Sequence, residues 1–449
     1  MRIRLFQLMY DLRASYWFVP SVMAFLAIVL GAVMVWLDAG PGAGLLDSLG
    51  WYQKAKPDGA HQVLSTIAGS MITVAGVVFS ITIVAIAYAA SQYGPRILTN
   101  FMSDRGNQVT LGTFIATFVY CLVVLRTIRG GDEGEFVPQL AVMVGLLLAL
   151  CSIAVLIFFI HHVPRSIHIN TVVAQIGKQL LRSVEARFPE QLGDGPAKEV
   201  GQRRDAVPAA VEVGAVEIRS TADGYIEAVH DETLMGTASK KDLTIRLHFG
   251  PGDYTLRGQA LMSAWPALEI DDSTRRALQQ SFSIGSSRTP AQDIFFLVDE
   301  LVEIAARALS PGVNDPYTAM TCLDWLTAAT AELGRRHVPS PERVDDDGAV
   351  RVIALPESFA GFVDRGFGRM RQYLARDMNA AARAFDSLAA AGSQSAQVGQ
   401  KRALGEEAHK LLLLVDRELD GPSRDTAREH YRSALKTLGL ETPLAPANS

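Results

Sequence analysis

Charge is missing where this chain of 449 residues is most apolar: residues 16–37, 63–90, 109–125 and 137–160 hold no Asp, Glu, Lys, Arg or His. Each stretch is long enough to cross a hydrocarbon core as a helix, which takes about 17–25 residues. Coupled transporters and voltage sensors carry carboxylates, His or Arg inside the membrane because those groups perform the work. The empty inventory therefore argues against a coupled pump. Cysteine is scarce as well. Cys121, Cys151 and Cys322 are dispersed without CxxC spacing, which argues against a disulfide framework or a structural zinc site. The net charge of −5 comes with no basic block, so nothing points to nucleic acid. Catalytic signatures are also wanting: there is no GxxxxGK(S/T), no HExxH, no strand–GxGxxG–helix and no GxSxG elbow. The expectation is a protein that is not an enzyme and uses no cofactor or metal.

What the chain does have is apolar surface. Hydrophobic residues make up 49% of it, the mean hydropathy is +0.17, and the excess lies before His161. A secretory signal is a poor reading of the first stretch, whose apolar run is too long and lacks a small-x-small site after it. Arg2, Arg4 and Arg13 precede that stretch, Arg96 and Arg105 lie between the second and third, and Arg165 and Lys178 follow the fourth. Lys54, Lys56, Arg126 and Arg129 fall on the opposite side. The bias of loop basic residues places both termini in the cytoplasm, and the bacterial inner membrane is the expected location.

The second apolar stretch carries a stripe of small and hydroxyl residues. Thr66, Ser70, Thr73, Gly76 (or Val77), Ser80, Ala87 and Ser91 recur at steps near three, four or seven and so share one helical face. Such a face either packs closely against other helices or borders water as a pore wall. Thr66, Ser70, Thr73, Gly76 and Ser80 are the pore-lining candidates. Thr110, Thr113 and Thr117 of the third stretch have similar spacing and are expected to face the same space. The second stretch ends in SQYGPRIL at 91–98, where Gly94-Pro95 stops the helix, Tyr93 suits the interface and Arg96 the cytoplasmic side. Tyr93, Gly94, Pro95 and Arg96 are anchors, or the gate or hinge of a pore.

A second cluster lies at 307–319. Ser310-Pro311-Gly312 closes one helix, and Asp315 is a natural N-cap with Pro316 at the first helical position. Arg307, Ser310, Asn314, Asp315, Tyr317 and Thr318 crowd polar groups at a helix start, where free N–H groups bind anions, so they are candidates for a ligand or subunit contact. Upstream, Asp293, Glu300 and Glu303 fall at helical spacing with Arg307 four residues after Glu303, a pattern of salt bridges rather than metal ligands. His161, His162 and His168 read as interfacial residues or a weak pH sensor.

The segments assemble as a transmembrane domain at 1–165, a helix and linker at 166–212, a β module at 213–265 and a helical domain at 266–449. The helix at 171–188 is expected to extend the fourth span. LTIRLHF at 243–249 alternates as a half-buried strand, GPGD at 250–253 turns the chain, and 254–262 forms the next strand, with earlier strands at 215–219 and 225–229. Helices are expected at 272–281, 291–309, 316–333, 357–390, 395–419 and 423–438, with one short strand at 350–355 and a polar loop at 339–347. The fold class is thus an α-helical polytopic membrane protein with four transmembrane helices. It carries a cytosolic α+β part, a small β-barrel-like module followed by a helical domain.

Two motifs support a family resemblance. GVVFSITIVA at 76–85 running into SQYGPRIL at 91–98, with Leu111-Gly112 beyond, and ALSPGVNDPYTA at 308–319 together resemble a bacterial family of predicted membrane proteins, domain-of-unknown-function family 2254. The resemblance covers most of the chain and implies an inner-membrane protein with a cytosolic remainder and no particular activity. GYI at 224–226 and GDYTLRGQAL at 252–261 are similar to barrel-sandwich folds that carry biotin or lipoate. No lysine sits where such carriers modify one, so that likeness implies an adaptor without a cofactor. Two functions follow as expectations. One is a homo-oligomeric passive pore or channel in the lipid bilayer with a cytosolic regulatory domain. The other is a membrane-anchored scaffold or sensor whose cytosolic domain binds a protein partner or a small anionic ligand.

Overall fold

The computed structural model describes residues 17–40, 56–94, 104–130, 136–188, 214–355, 358–395 and 397–440. The chain divides into two compact units, Met1–Val172 and Val173–Ser449. Among the described residues of the first, four helices are long and apolar enough to cross a membrane. They are α1 (Phe18–Ala39), α2 (Pro57–Tyr93), α3 (Arg105–Leu125) and α4 (Gln139–Ser166). α3 is the most enclosed and packs against all three others. Leu64 and Ala68 of α2 meet Tyr120 and Val124 of α3 in one apolar cluster. Met71, Ala75 and Val78 meet Phe114 of α3 and Phe159 of α4 in another.

Without a hydrophobic driving force between helices in lipid, close approach of backbones supplies the packing. Gly31, Gly112 and Gly145 provide it. A Cβ on them would lie 2.9 Å from Val123 Cγ1, 2.5 Å from Met23 Sδ and 2.9 Å from Leu64 Cδ2 respectively. The 37 residues of α2 make a rod of about 55 Å.

α4 does not run on into the next helix, contrary to the sequence expectation. Pro164 lies in its last turns and has no N–H to donate. The chain tightens into a turn at Ile167–His168 before α5 (Ile169–Arg187) begins. In the second unit α5 docks through Gly177, where the Trp325 ring lies 2.2 Å from the position of a Cβ. Arg336 donates to the carbonyls of Glu185 and Phe188, which closes the C-terminal end of α5.

The β module differs from a small barrel. β1 (Val216–Arg219), β2 (Gly224–Val229), α6 (Asp231–Lys240), β3 (Thr244–Leu247), β4 (Tyr254–Thr255), β5 (Ala260–Trp265), α7 (Asp272–Gln280) and β6 (Phe282–Gly285) follow in order. With β7 (Glu342–Val344) and β8 (Val350–Ile353) they build two open sheets, one of five strands in the order β1-β5-β3-β8-β7 and one of three, β4-β2-β6. β7 and β8 come from far downstream, and β8 pairs parallel to β3. One core joins both sheets to α6 and α7: Ile218, Ile226, Leu234, Ile245, Met262, Leu278 and Val352. The strand expected at 254–262 is split by a turn that holds Gly258 at φ +84°. The strand β7 falls in the segment expected as a polar loop.

The rest is helical: α8 (Ile294–Ala308), α9 (Pro316–Arg335), α10 (Phe359–Gly366), α11 (Arg371–Leu374), α12 (Met378–Ser393), α13 (Val398–Glu418) and α14 (Gly421–Leu438). The single helix expected at 357–390 is therefore three. Gly366 and Gly368 flank the first break, and Asp377 caps α12 by accepting from the Ala380 N–H at 2.8 Å.

A Gly177→Ala variant forces its methyl into a rigid indole and is expected to lose about 1–3 kcal/mol. Gly69→Ala, on open surface of α2, is expected to be neutral or stabilising by up to about 1 kcal/mol. Thermal unfolding of the two purified variants checks the contrast.

Candidate functional site

α2 has two faces of opposite character. Ala60, Leu64, Ala68, Met71, Ala75, Val78, Thr82 and Ala89 are buried against the other helices. Thr66, Ser70, Thr73, Gly76, Ser80, Ala87 and Ser91 are all exposed. The stripe thus turns away from its own bundle. Gly59 extends it backward, giving small residues every seventh position through Thr66, Thr73, Ser80 and Ala87. A Cβ at Gly59, Gly69 or Gly76 would meet nothing within 4 Å, unlike the glycines that pack the bundle. Thr66 and Thr73 donate to the carbonyls of Gln62 and Gly69 at 2.7 and 2.8 Å, so those hydroxyls have a partner within α2.

The threonines of α3 do not share this face. Thr110 and Thr117 are buried, and Thr117 Oγ1 lies 3.0 Å from Ser152 Oγ of α4. The Thr117 contact joins two helices, the Thr110 hydroxyl donates to the Gly106 carbonyl within α3 at 2.7 Å, and Thr113 is half-buried. At the end of α2, Gly94 is buried with φ +113° and donates to the Ala90 carbonyl at 3.1 Å. That backbone conformation suits glycine alone. Pro95, Arg96 and the Tyr93 side chain lie outside the described residues.

Two carboxylates that sequence reading passed over fasten opposite ends of the bundle. Asp38, just past the last residue of the first expected span, accepts from the Leu140 and Ala141 N–H groups at 3.0 and 2.9 Å. It thereby holds the end of α1 to the start of α4. Asp104 caps α3 by accepting from the Gly106 N–H at 2.7 Å and meets His162 Nε2 of α4 at 3.0 Å. Phe158 stacks on the His162 ring with centroids 4.9 Å apart. A Cβ on Gly106 would lie 2.5 Å from that nitrogen, so only glycine admits the pair. The sequence held only a partial signal: Asp104 is an N-cap residue type five residues ahead of the third apolar stretch.

In the second unit the 307–319 motif is a rigid exposed corner. Ser310 Oγ donates to the Arg307 carbonyl at 2.6 Å, and the Asp315 N–H donates to the Ala308 carbonyl at 2.8 Å. Asn314 takes a left-handed φ of +51°, which asparagine tolerates better than most residues. The Asp315 carboxylate accepts from the Thr318 N–H at 3.1 Å and from its hydroxyl at 2.6 Å. The protein's own carboxylate therefore takes the place at the α9 N-terminus that a bound anion would need. Arg307 is half-buried, and Tyr317 is 73% exposed beside exposed Val313.

The N-terminal half of α8 carries a charge network. Asp293 is no member of a helix-face series: it is the N-cap of α8, accepting from the Phe296 N–H at 3.2 Å and pairing with Arg288 at 2.5 Å. Asp299 receives Arg288 at 2.5 Å, Arg365 at 2.6 Å and Arg369 at 3.1 Å. Burial alone would raise the Asp299 carboxyl, but the Arg365 and Arg288 hydrogen bonds outweigh it and hold the group below the usual carboxylate range. Cys322 is wholly buried, and desolvation pushes its thiol far up, so it is inert toward thiolate chemistry. Among the described residues no three His, Cys, Asp or Glu side chains gather as a metal site.

Four apolar spans joined to an α+β unit define a multi-span membrane protein. The family described as "Predicted membrane protein (DUF2254)" matches residues 13–390, and the chain belongs to it. It is 31% identical over 446 residues to the uncharacterized protein Rv1290c of Mycobacterium tuberculosis, covering 98% of this chain and 83% of that one. The uncharacterized protein Mb1321c of Mycobacterium bovis is similar to the same extent. No solved structure matches the chain.

Removing Asp299 leaves three guanidinium groups without their shared carboxylate. Asp299→Ala is expected to cost about 3–5 kcal/mol, as for other broken buried pairs. Because its folded pKa is lowered, the Asp299 contribution is full above the ordinary carboxylate range and fades as pH falls through the depressed value. Urea unfolding of the wild type and variant from neutral to acidic pH checks both, with the two curves converging in acid.

Proposed function

We propose that the protein is a homo-oligomeric passive pore or channel of the bacterial inner membrane, with both termini cytoplasmic and Val173–Ser449 as its regulatory part. The observation that carries this reading is the outward stripe of α2. Its glycines and hydroxyls pack against nothing in their own subunit, whereas a lipid-facing surface is served by large apolar side chains. A four-helix subunit has little room for a pathway of its own, so neighbouring copies supply the other walls. Hydroxyls and backbone along a narrow passage are sufficient for conduction and dewetting-type gating. The uncharged spans fit passive flow and supply no group for coupled transport.

A second reading, a membrane-anchored scaffold or sensor, draws on the rigid exposed corner at Val313 to Tyr317. There a partner protein would find a fixed loop flanked by an aromatic side chain.

Cysteine substitution along α2 tests the first reading in full-length protein in vesicles. Hydrophilic thiol reagents are expected to reach Thr66→Cys, Ser70→Cys, Thr73→Cys and Ser80→Cys but not Ala68→Cys or Ala75→Cys. Ser80→Leu is expected to change stability by no more than about 0.5 kcal/mol, as at other uncrowded positions, while reducing solute flux. Uniform protection along the stripe together with absence of flux would refute the pore.

A further inference from the structure

The buried carboxylate of Asp299 has no acceptor capacity to spare. Its Oδ2 accepts from Arg288 Nη1 at 2.5 Å and from Arg365 Nη2 at 2.6 Å. Its Oδ1 accepts from Arg365 Nε at 2.9 Å and from Arg369 Nη1 at 3.1 Å. A carboxylate offers about four lone-pair sites, and all of them are taken. Arg288 turns its other two nitrogens to Asp293, which is also buried. Three guanidinium groups thus meet two carboxylates in this network, and one positive charge is left over.

That excess sits at the surface. The Arg288 side chain is 12% exposed, that of Arg365 26% and that of Arg369 52%. Among the described residues Arg365 Nη1 and Arg369 Nε and Nη2 have no acceptor. Asp364, the acid beside Arg365 in sequence, instead lies 3.5 Å from Arg371, which also holds Glu407. Arg365 is fixed in place, since it grips Asp299 with two nitrogens and lies over the Phe295 ring, 5.0 Å from the centroid. Arg365 and Arg369 donate to the same oxygen, so their heads are held side by side with unused N–H groups. Like charges so placed repel, and an anion touching both relieves the repulsion. The buried acid arranges the pair before any ligand arrives, which favours binding.

The shape of the pair selects among anions. A carboxylate is planar and matches the fork of one guanidinium. A phosphate group is tetrahedral, and its oxygens can take N–H groups from two guanidinium groups that differ in orientation. We propose that Arg365 and Arg369 bind a phosphate group, that of a soluble ester or of a lipid headgroup, with Asp299 as the residue that positions both. The site lies within one unit and is read by binding alone, so it stands or fails independently of whether α2 borders a pore.

Calorimetric titration of the full-length protein in detergent tests it, with glycerol phosphate, short-chain phosphatidylglycerol and acetate as probes. At least one phosphate probe is expected to bind, with acetate weaker by about tenfold or more. The tighter phosphate probe tells a soluble ester from a headgroup. Arg369→Gln leaves Asp299 its bonds from Arg288 and Arg365. It is expected to weaken the phosphate probe about tenfold, the loss that one charge-assisted hydrogen bond produces. Arg383→Gln removes a similarly exposed guanidinium on α12, paired with Asp324, and is expected to keep wild-type affinity. Four outcomes overturn the proposal: no binding of either phosphate probe, acetate binding as tightly as phosphate, wild-type affinity in the folded Arg369→Gln protein, or equal weakening by Arg383→Gln.

Discussion

Within a bilayer every backbone N–H must find its partner inside the protein, and the first turn of each helix is where the ladder leaves donors over. Two side chains of the first unit answer that constraint, and the bundle hangs on them. Asp38 fills the start of α4 with a carboxylate sent from the end of α1. Asp104 fills the start of α3 and reaches His162 at the far end of α4. Each is a negative charge placed against the positive end of a helix, and each also ties two helices together at the polar margin. The interior between the two ends can therefore remain free of ionised groups. Packing there rests on Gly31, Gly112 and Gly145 and on the Thr117–Ser152 contact.

The second unit uses the same device. Asp271, Asp293, Asp315 and Asp377 each cap a helix, and Asp293 doubles as a partner of Arg288 beside the Asp299 cluster. Stability in this unit is thus spread over short-range choices at helix starts and one dense knot of arginines, while Arg336 and Trp325 hold α5 in place.

Much of this was legible in the amino-acid order, for physical reasons. Four uncharged stretches of membrane length specify four apolar helices. Asp315-Pro316 announced the start of α9, and alternation over 243–249 announced β3. What escaped depends on partners distant in sequence. Nothing near Leu247 tells that β8 will pair beside β3, and a strand cut by Gly258 reads as continuous when only its apolar content is weighed. The stripe of α2 was visible as a periodicity, but its direction was not. Spacing fixes which residues share a face, and only Leu64, Ala68 and Ala75 packing inward reveals that this face points out. Asp104 and His162 stood 58 residues apart, so their pairing had no local trace.

The length of α2 has a consequence for where the protein sits at ease. Its 37 residues carry their last charged or histidine side chain at His61, leaving about 45 Å of uncharged rod against a hydrocarbon thickness of about 30 Å. Such excess is relieved by leaning the helix or by thickening the surrounding lipid, at fractions of a kcal/mol for each ångström. Acyl-chain length is thereby an input to this molecule: short lipids incline α2 and long ones stand it upright. The angle at which its outward glycines and hydroxyls lie in the bilayer is then set partly by the membrane and not by the sequence alone.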